Sequence, residues 1–200
     1  MIEENGVRIL TDPGMYSTQQ TEVRDINFVL ITHEHTDHLH ADSLKTLLKN
    51  NPQAKIITNQ RVGALLEKDG IAFSVVEDGH TFDANGVLIE GFGKDHALMH
   101  TSIPSIQNTG YFIANKLFYP GDAFTHPGRR VEVLALPVAG PWMRLLEAID
   151  YALEINPKTC FPVHEGILKQ PGSTHAIPPK VLEPSGIKFV ILEIDKEHEF

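Results

Sequence analysis

Residues 30–40, LITHEHTDHLH, set four histidines, a glutamate and an aspartate directly behind an apolar run. Such groups are costly to crowd together and costly to bury without partners. Two readings compete: a solvated polar loop whose histidines are accidental, or one half of a metal site. The stretch NFVLITH (27–33) is almost continuously apolar, as expected of a strand covered on both faces. His33 and His35 stand two apart at its end, so extended backbone aims both side chains the same way. Asp37 and His38 follow as the chain turns toward a helix beginning near Ala41. Nitrogen and oxygen donors then project from the carboxyl end of a buried strand, where α/β proteins commonly place their sites. Imidazole with carboxylate suits zinc, iron or manganese better than calcium. That density of donors favours the metal site.

Outward from this motif, strands and helices alternate. VRILTD (7–12) reads as a strand entered through the turn signal Asn5-Gly6. ADSLKTLLKN (41–50) carries Leu44, Leu47 and Leu48 at helical spacing, and AKIITN (54–59) returns as a strand. QRVGALLEKDG (60–70) is a helix closed by glycine. IAFSVV, TFD, VLIEGF, TGYFIA and KLFYPG follow as strands separated by Gly, Asp and Asn turns. VEVLALPV is a further strand, WMRLLEAIDYALEI a helix opened by Pro141, and KTCFPV a strand; IKFVILEI (187–194) closes the chain as another. Two strand sets, each served by helices, imply a layered α/β arrangement.

The 200 residues, with ordinary apolar and charged fractions, suit a single domain over 1–200 with a real core. No apolar run reaches the roughly 18 residues of a membrane span, and MIEENGVRIL lacks the pattern of a secretory leader, so a cytoplasmic protein is expected. One cysteine, Cys160, excludes a disulfide framework and a cysteine-rich zinc module. A net charge of −9 argues against broad electrostatic binding of nucleic acid.

HEHTDH (33–38) fits His-x-His-x-Asp-His and resembles the signature of the metallo-β-lactamase superfamily of hydrolases. GKDHALMH (93–100), FYPGDAF (118–124) and FPVHEG (161–166) supply that family's later histidine, aspartate and histidine in order. RILTDPG (8–14) and VLALPVAGPWMRLLEAID (133–150) look most like the branch of L-ascorbate-6-phosphate lactonase-like and other metal-dependent hydrolases. The resemblance implies a four-layer αββα sandwich, here without the usual first N-terminal strand, because the chain starts at MIEENG. An incomplete sheet edge of that kind would invite a homo-oligomer. It also implies two divalent ions, zinc first, with manganese or iron as alternatives. One ion would take His33, His35 and His96, the other Asp37, His38 and His164, with Asp122 shared between them. His96 is favoured over His100 because it falls soon after VLIEGF, leaving His100 on the substrate side.

Other groups have plainer readings beside functional ones. His126, Arg129 and Arg130, close after Asp122, could offer a cationic edge to an anionic substrate or form a solvated loop, with equal weight. Trp142 either walls the pocket or packs a helix on the sheet. His40 reads as a helix-start residue, His80 as a turn residue, and His175 and His198 as solvated. Glu34 should point away from its flanking histidines, and Cys160 should be a buried small residue. Ser17, Thr18 and the other hydroxyls show no nucleophile elbow, and GFGKDH fits neither dinucleotide nor P-loop spacing.

The expected function is hydrolysis of a small ester, lactone or phosphoester by a dinuclear site, with Asp37 as the catalytic carboxylate. The alternatives are a mononuclear iron dioxygenase on the same fold and a metal-dependent nuclease or phosphodiesterase. The expected partner is a small molecule, with neither a membrane nor, given the acidic balance, nucleic acid.

Overall fold

The computed structural model describes every residue except Thr18 and Asp195, so Thr18, among the hydroxyls considered above, lies outside the described residues. The first sheet runs in the order β1 (Ile2–Glu4), β2 (Val7–Thr11), β3 (Phe28–Ile31), β4 (Lys55–Thr58), β5 (Phe73–Val75). Asn5 and Gly6 both take left-handed backbone (φ 53 and 75), which gives the tight hairpin between β1 and β2. A three-residue strand therefore precedes Val7, where the sequence reading had only a lead-in. From β2 to β5 all pairs are parallel, and α1 (Ala41–Asn50) and α2 (Gln60–Lys68) make two of the crossovers.

The second sheet has the order β12 (Lys188–Phe189), β11 (Thr159–Val163), β10 (Val133–Pro137), β9 (Leu117–Tyr119), β8 (Gly110–Ile113), β7 (Val87–Phe92), β6 (Thr81–Ala84). β6 to β9 form an antiparallel meander, whereas β9 to β12 are parallel. The crossovers carry α3 (Leu145–Ile155) and α4 (Pro178–Leu182).

Alternation along the strands builds the layers. In the first sheet Ile9, Phe28, Leu30 and Ile57 pack against Val87, Ile89, Tyr111 and Ile113 of the second, filling the space between sheets. The opposite faces turn outward: Val29, Ile31 and Ile56 meet Leu44 and Leu47 of α1 and Val62 and Leu66 of α2. Phe112, Phe118, Leu134 and Leu136 meet Ala148, Ile149 and Ala152 of α3 and Leu182 of α4. Helix, sheet, sheet, helix is the arrangement expected from the sequence. No helix among the described residues is long and apolar enough to cross a membrane.

Two boundaries differ from expectation. The last strand stops at Phe189, and Ile191, Leu192 and Ile194 beyond it are exposed, so their apolar run has no sheet partner. The third helix begins at Leu145 rather than near Pro141. The Glu147 side chain reaches back to accept from the Arg144 backbone N–H (2.7 Å), which sets the start three residues past the tryptophan.

Candidate metal centre

The two sheets present their strand ends to a common point. The turn after β3 carries His33, His35, Asp37 and His38. Segments from the second sheet bring His96 beyond β7, Asp122 beyond β9 and His164 beyond β11. Donor atoms of His33, His35, His96 and Asp122 form one group, and those of Asp37, His38 and His164 another, each within 4.8 Å. Asp122 faces both: its Oδ2 lies 3.4 Å from His96 Nε2 and 3.1 Å from His164 Nε2, and its Oδ1 lies 3.2 Å from His38 Nε2. All seven residues singled out in the sequence therefore meet, divided into the two groups the family resemblance implied.

Backbone conformation makes the meeting feasible. Asp12 (φ 43) and His164 (φ 65) hold left-handed backbone, a conformation that non-glycine residues adopt at a cost and that gathers at functional sites. Gly14 lies so close to the ligand turn that an added Cβ would stand 1.6 Å from the Asp37 carbonyl oxygen. Gly121 (φ 66) leaves room for Thr32 and Asn108, and the Asn108 side chain then accepts from the Asp122 backbone N–H (3.1 Å).

A ring of acceptors fixes the imidazoles. His38 Nδ1 donates to Asp12 Oδ2 (2.7 Å), His164 Nδ1 to the Ala139 carbonyl (2.7 Å), and His96 Nδ1 to the Ala97 carbonyl (2.6 Å). With Nδ1 committed as a donor, each ring turns its Nε2 inward. Asp12 is the hub that sequence reasoning missed. Its Oδ1 accepts from the Thr32 backbone N–H, and its Oδ2 accepts from the Thr32 and Tyr119 hydroxyls as well as from His38. A strand ending in Asp-Pro was its only signal. Asn108, wholly buried, was missed too.

Does this donor set fit a cation? His96 Nε2 and Asp122 Oδ1 are buried without a hydrogen bond, despite standing 3.4 and 3.2 Å from the nearest opposite partner. His33 Nε2 faces His35 Nδ1 at 3.0 Å, and His38 Nε2 faces His164 Nε2 at 3.1 Å. Two nitrogens bound tetrahedrally to one zinc at about 2.0–2.1 Å would stand about 3.3–3.4 Å apart. Burial first, then the neighbouring histidines, lower the pKa of His33 and His35, so both rings are neutral donors. Burial also opposes charge on His38, but Asp12 and Asp122 outweigh it and raise its pKa to about 10. At His164, Asp122 and Asp37 likewise raise the value to about 9. Burial works against the Asp122 carboxylate as well, yet the imidazoles of His164, His38 and His96 beside it hold it well below the usual range. The cluster draws protons to where a cation would sit, and the residues fit one.

Not every candidate joins the cluster. His100 is exposed and bonded to Ser102, so His96 alone takes that place. His126, Arg129 and Arg130 are also excluded, because residues 123–132 run back along the sheet to the start of β10. They line a shallow pocket with Glu154, Lys158 and Gly186, near the starts of β11 and β12. There His126 pairs with Glu154 (3.2 Å), while Arg129 forks onto the buried Glu90 (2.8 and 3.0 Å) beneath Phe92 and Phe112. His175 pairs with Glu165 (2.7 Å) and is mostly covered, contrary to the solvated reading. Glu34 points away from the histidines onto Arg61 of α2, and Cys160 is buried with its thiol pushed up to about 12, as expected of both.

The Beta-lactamase superfamily domain model matches residues 1–164. Protein Rv0786c of Mycobacterium tuberculosis is 34% identical over 84% of this chain and 80% of its own length. A UPF0173 metal-dependent hydrolase of Koribacter versatilis is 26% identical, covering 83% and 79%. Among solved structures, the metallo hydrolase Igni18 of Ignicoccus hospitalis superposes with a TM-score of 0.72 at 21% identity, covering 96% of this chain and 89% of that one. CmlA, a diiron β-hydroxylase of Streptomyces venezuelae, shares the fold with a TM-score of 0.62 at 14% identity, covering 86% and 44%. The chain belongs to the β-lactamase superfamily, the class its layered sheets and histidine-rich strand ends define.

Proposed function

We propose that this protein is a metal-dependent hydrolase that uses a pair of divalent ions, zinc in the first place, on a small uncharged ester or lactone. The observation that carries this reading is the convergence of the seven donors, two of them with buried atoms left without a hydrogen bond. The names of relatives support the hydrolase class. When bound, divalent ions acidify water toward a pKa of about 7 and polarise a substrate oxygen. His33, His35 and His96 would hold one ion, Asp37, His38 and His164 the other, with Asp122 between them.

The protein's own groups supply the rest. Burial raises the pKa of Asp37, but hydrogen bonding from His164 and the neighbouring His38 bring it below its ordinary value, so its carboxylate is ionised at neutral pH. Asp37 Oδ2 lies 3.3 Å from His164 Nε2 and keeps part of its surface open, so it can accept a proton from an attacking water. The rim of the site favours an uncharged substrate. Met15, bonded through its backbone N–H to the Thr36 carbonyl, and its neighbour Tyr16 are exposed beside the ligand turn. Leu98, Met99 and Ile103 are exposed on the segment that follows His96. The arginines that would have received an anion lie at the far end of the sheet.

The test is metal analysis of protein purified without added metal, followed by a panel of lactones, aryl esters, phosphodiesters and β-lactams. About two ions per chain and lactone or ester turnover that chelation removes and zinc restores are expected. Protein that takes up no divalent ion, or turnover indifferent to chelation, overturns the reading. Because the fold also serves a diiron hydroxylase, oxygen consumption by iron-loaded protein decides the oxidative alternative.

A further inference from the structure

The segment VAGPW (138–142) touches the metal centre at two points. The Ala139 carbonyl accepts from His164 Nδ1, and Trp142 Nε1 donates to Asp122 Oδ2 at 2.8 Å. His164 follows β11 and Asp122 follows β9, while the segment itself leaves β10, the strand between them. The indole is buried, with its ring edge-on to His96 (5.9 Å) and Phe124 (5.2 Å). Gly140 makes this approach feasible: an added Cβ there would stand 2.7 Å from Trp142 Nε1. The Val138 backbone N–H, donating to the Val163 carbonyl (3.1 Å), anchors the segment to the strand that carries His164.

Asp122 faces both ligand groups, and a carboxylate in that position can turn about its terminal torsion and serve one group alone. The indole N–H removes that freedom, because it points at a single oxygen and can only donate. The geometry points to Trp142 as a positioning residue for the metal centre: its N–H holds the Asp122 carboxylate where both ion positions can share it, and so sets how tightly the pair is retained. This rests on the two-ion reading above.

The cleanest variant replaces Trp142 by its benzothienyl analogue, in which sulfur stands where the indole carries N–H, so that shape and packing survive. Trp142→Phe is the simpler companion. Zinc affinity is measured by competition with a chromophoric chelator, and the melting temperature is taken on metal-free protein. Loss of a hydrogen bond to a metal ligand of this kind costs about 10- to 100-fold in affinity. A loss of at least about 10-fold with the analogue, without a fall in the metal-free melting temperature, is the expected result. Trp142 is the sole tryptophan, so its emission should also move with zinc and saturate at the same equivalence. If the wild-type chain takes up no zinc, the two-ion reading and this inference fall together. If the wild-type chain binds zinc and the analogue binds it equally well, or emission stays constant through saturation, only the role of Trp142 is refuted.

Discussion

Asp12 Oδ2 stands 2.7 Å from His38 Nδ1, and the same carboxylate gathers the Thr32 and Tyr119 hydroxyls and the Thr32 backbone N–H. One acidic side chain thus orients a candidate ligand and ties the ligand turn to the second sheet. Asp12→Asn puts an NH2 group where His38 needs an acceptor. The imidazole must then carry its proton on Nε2, the atom meant for the metal. Zinc affinity is expected to fall about 10- to 100-fold, read by chelator competition, with a smaller change in the metal-free melting temperature.

Substituting the two histidines of the 93–100 segment separately should give opposite results. His96→Ala removes a buried donor and is expected to lower metal content by at least one ion per chain. His100→Ala alters an exposed residue bonded to Ser102 and should leave metal content at the wild-type value. Elemental analysis of both variants after identical dialysis decides the matter.

The metal-free protein should lose stability as pH rises from neutrality. His38 and His164 have folded pKa values of about 10 and about 9, above the ordinary 6.5. Their protonation stabilises the fold fully below about pH 6.5, and this contribution disappears as pH climbs through 9 to 10. Asp122, held low, acts in the other direction: its contribution is present above about pH 4 and is lost in acid. Zinc must displace the two histidine protons, so its affinity rises over the same alkaline range. Thermal melts of chelated and zinc-loaded protein from pH 6 to 9 should diverge steadily; parallel curves would contradict this account.

Arg129 should matter for stability and not for chemistry. Arg129→Ala leaves Glu90 buried without its fork and removes the cation from Phe92 and Phe112. Part of the arginine is exposed, so solvent screening trims the cost to about 1–3 kcal/mol, or several degrees of melting temperature. Turnover measured well below the transition should match wild type.

Much of this was legible in the sequence because it is local. His33, His35, Asp37 and His38 share one strand end, and His96, Asp122 and His164 each follow their own apolar run, so the family resemblance could be carried over to them residue by residue. His126, Arg129 and Arg130 misled because nearness along the chain to Asp122 says nothing about a segment that doubles back down the sheet. Asp12 was silent because its work depends on left-handed backbone and on partners as distant as Tyr119. Trp142 stayed open between wall and packing because neither pattern nor propensity reports where an indole N–H points. The run after Phe189 reads as strand by composition, yet a strand also needs a neighbour to pair with.

The ligand set is split across the seam between the sheets. Neither half of the chain owns a complete coordination sphere: the amino-terminal sheet brings His33, His35, Asp37 and His38, the carboxyl-terminal one His96, Asp122 and His164. An ion held here would therefore act as a rivet across a junction otherwise closed by apolar contacts and a few hydrogen bonds, such as those from Tyr119 to Asp12 and from Tyr111 to the Ile31 carbonyl, spanning 126 positions between His38 and His164. A nascent or partly opened chain presents only part of each donor group, so tight metal uptake is expected only once both halves are docked.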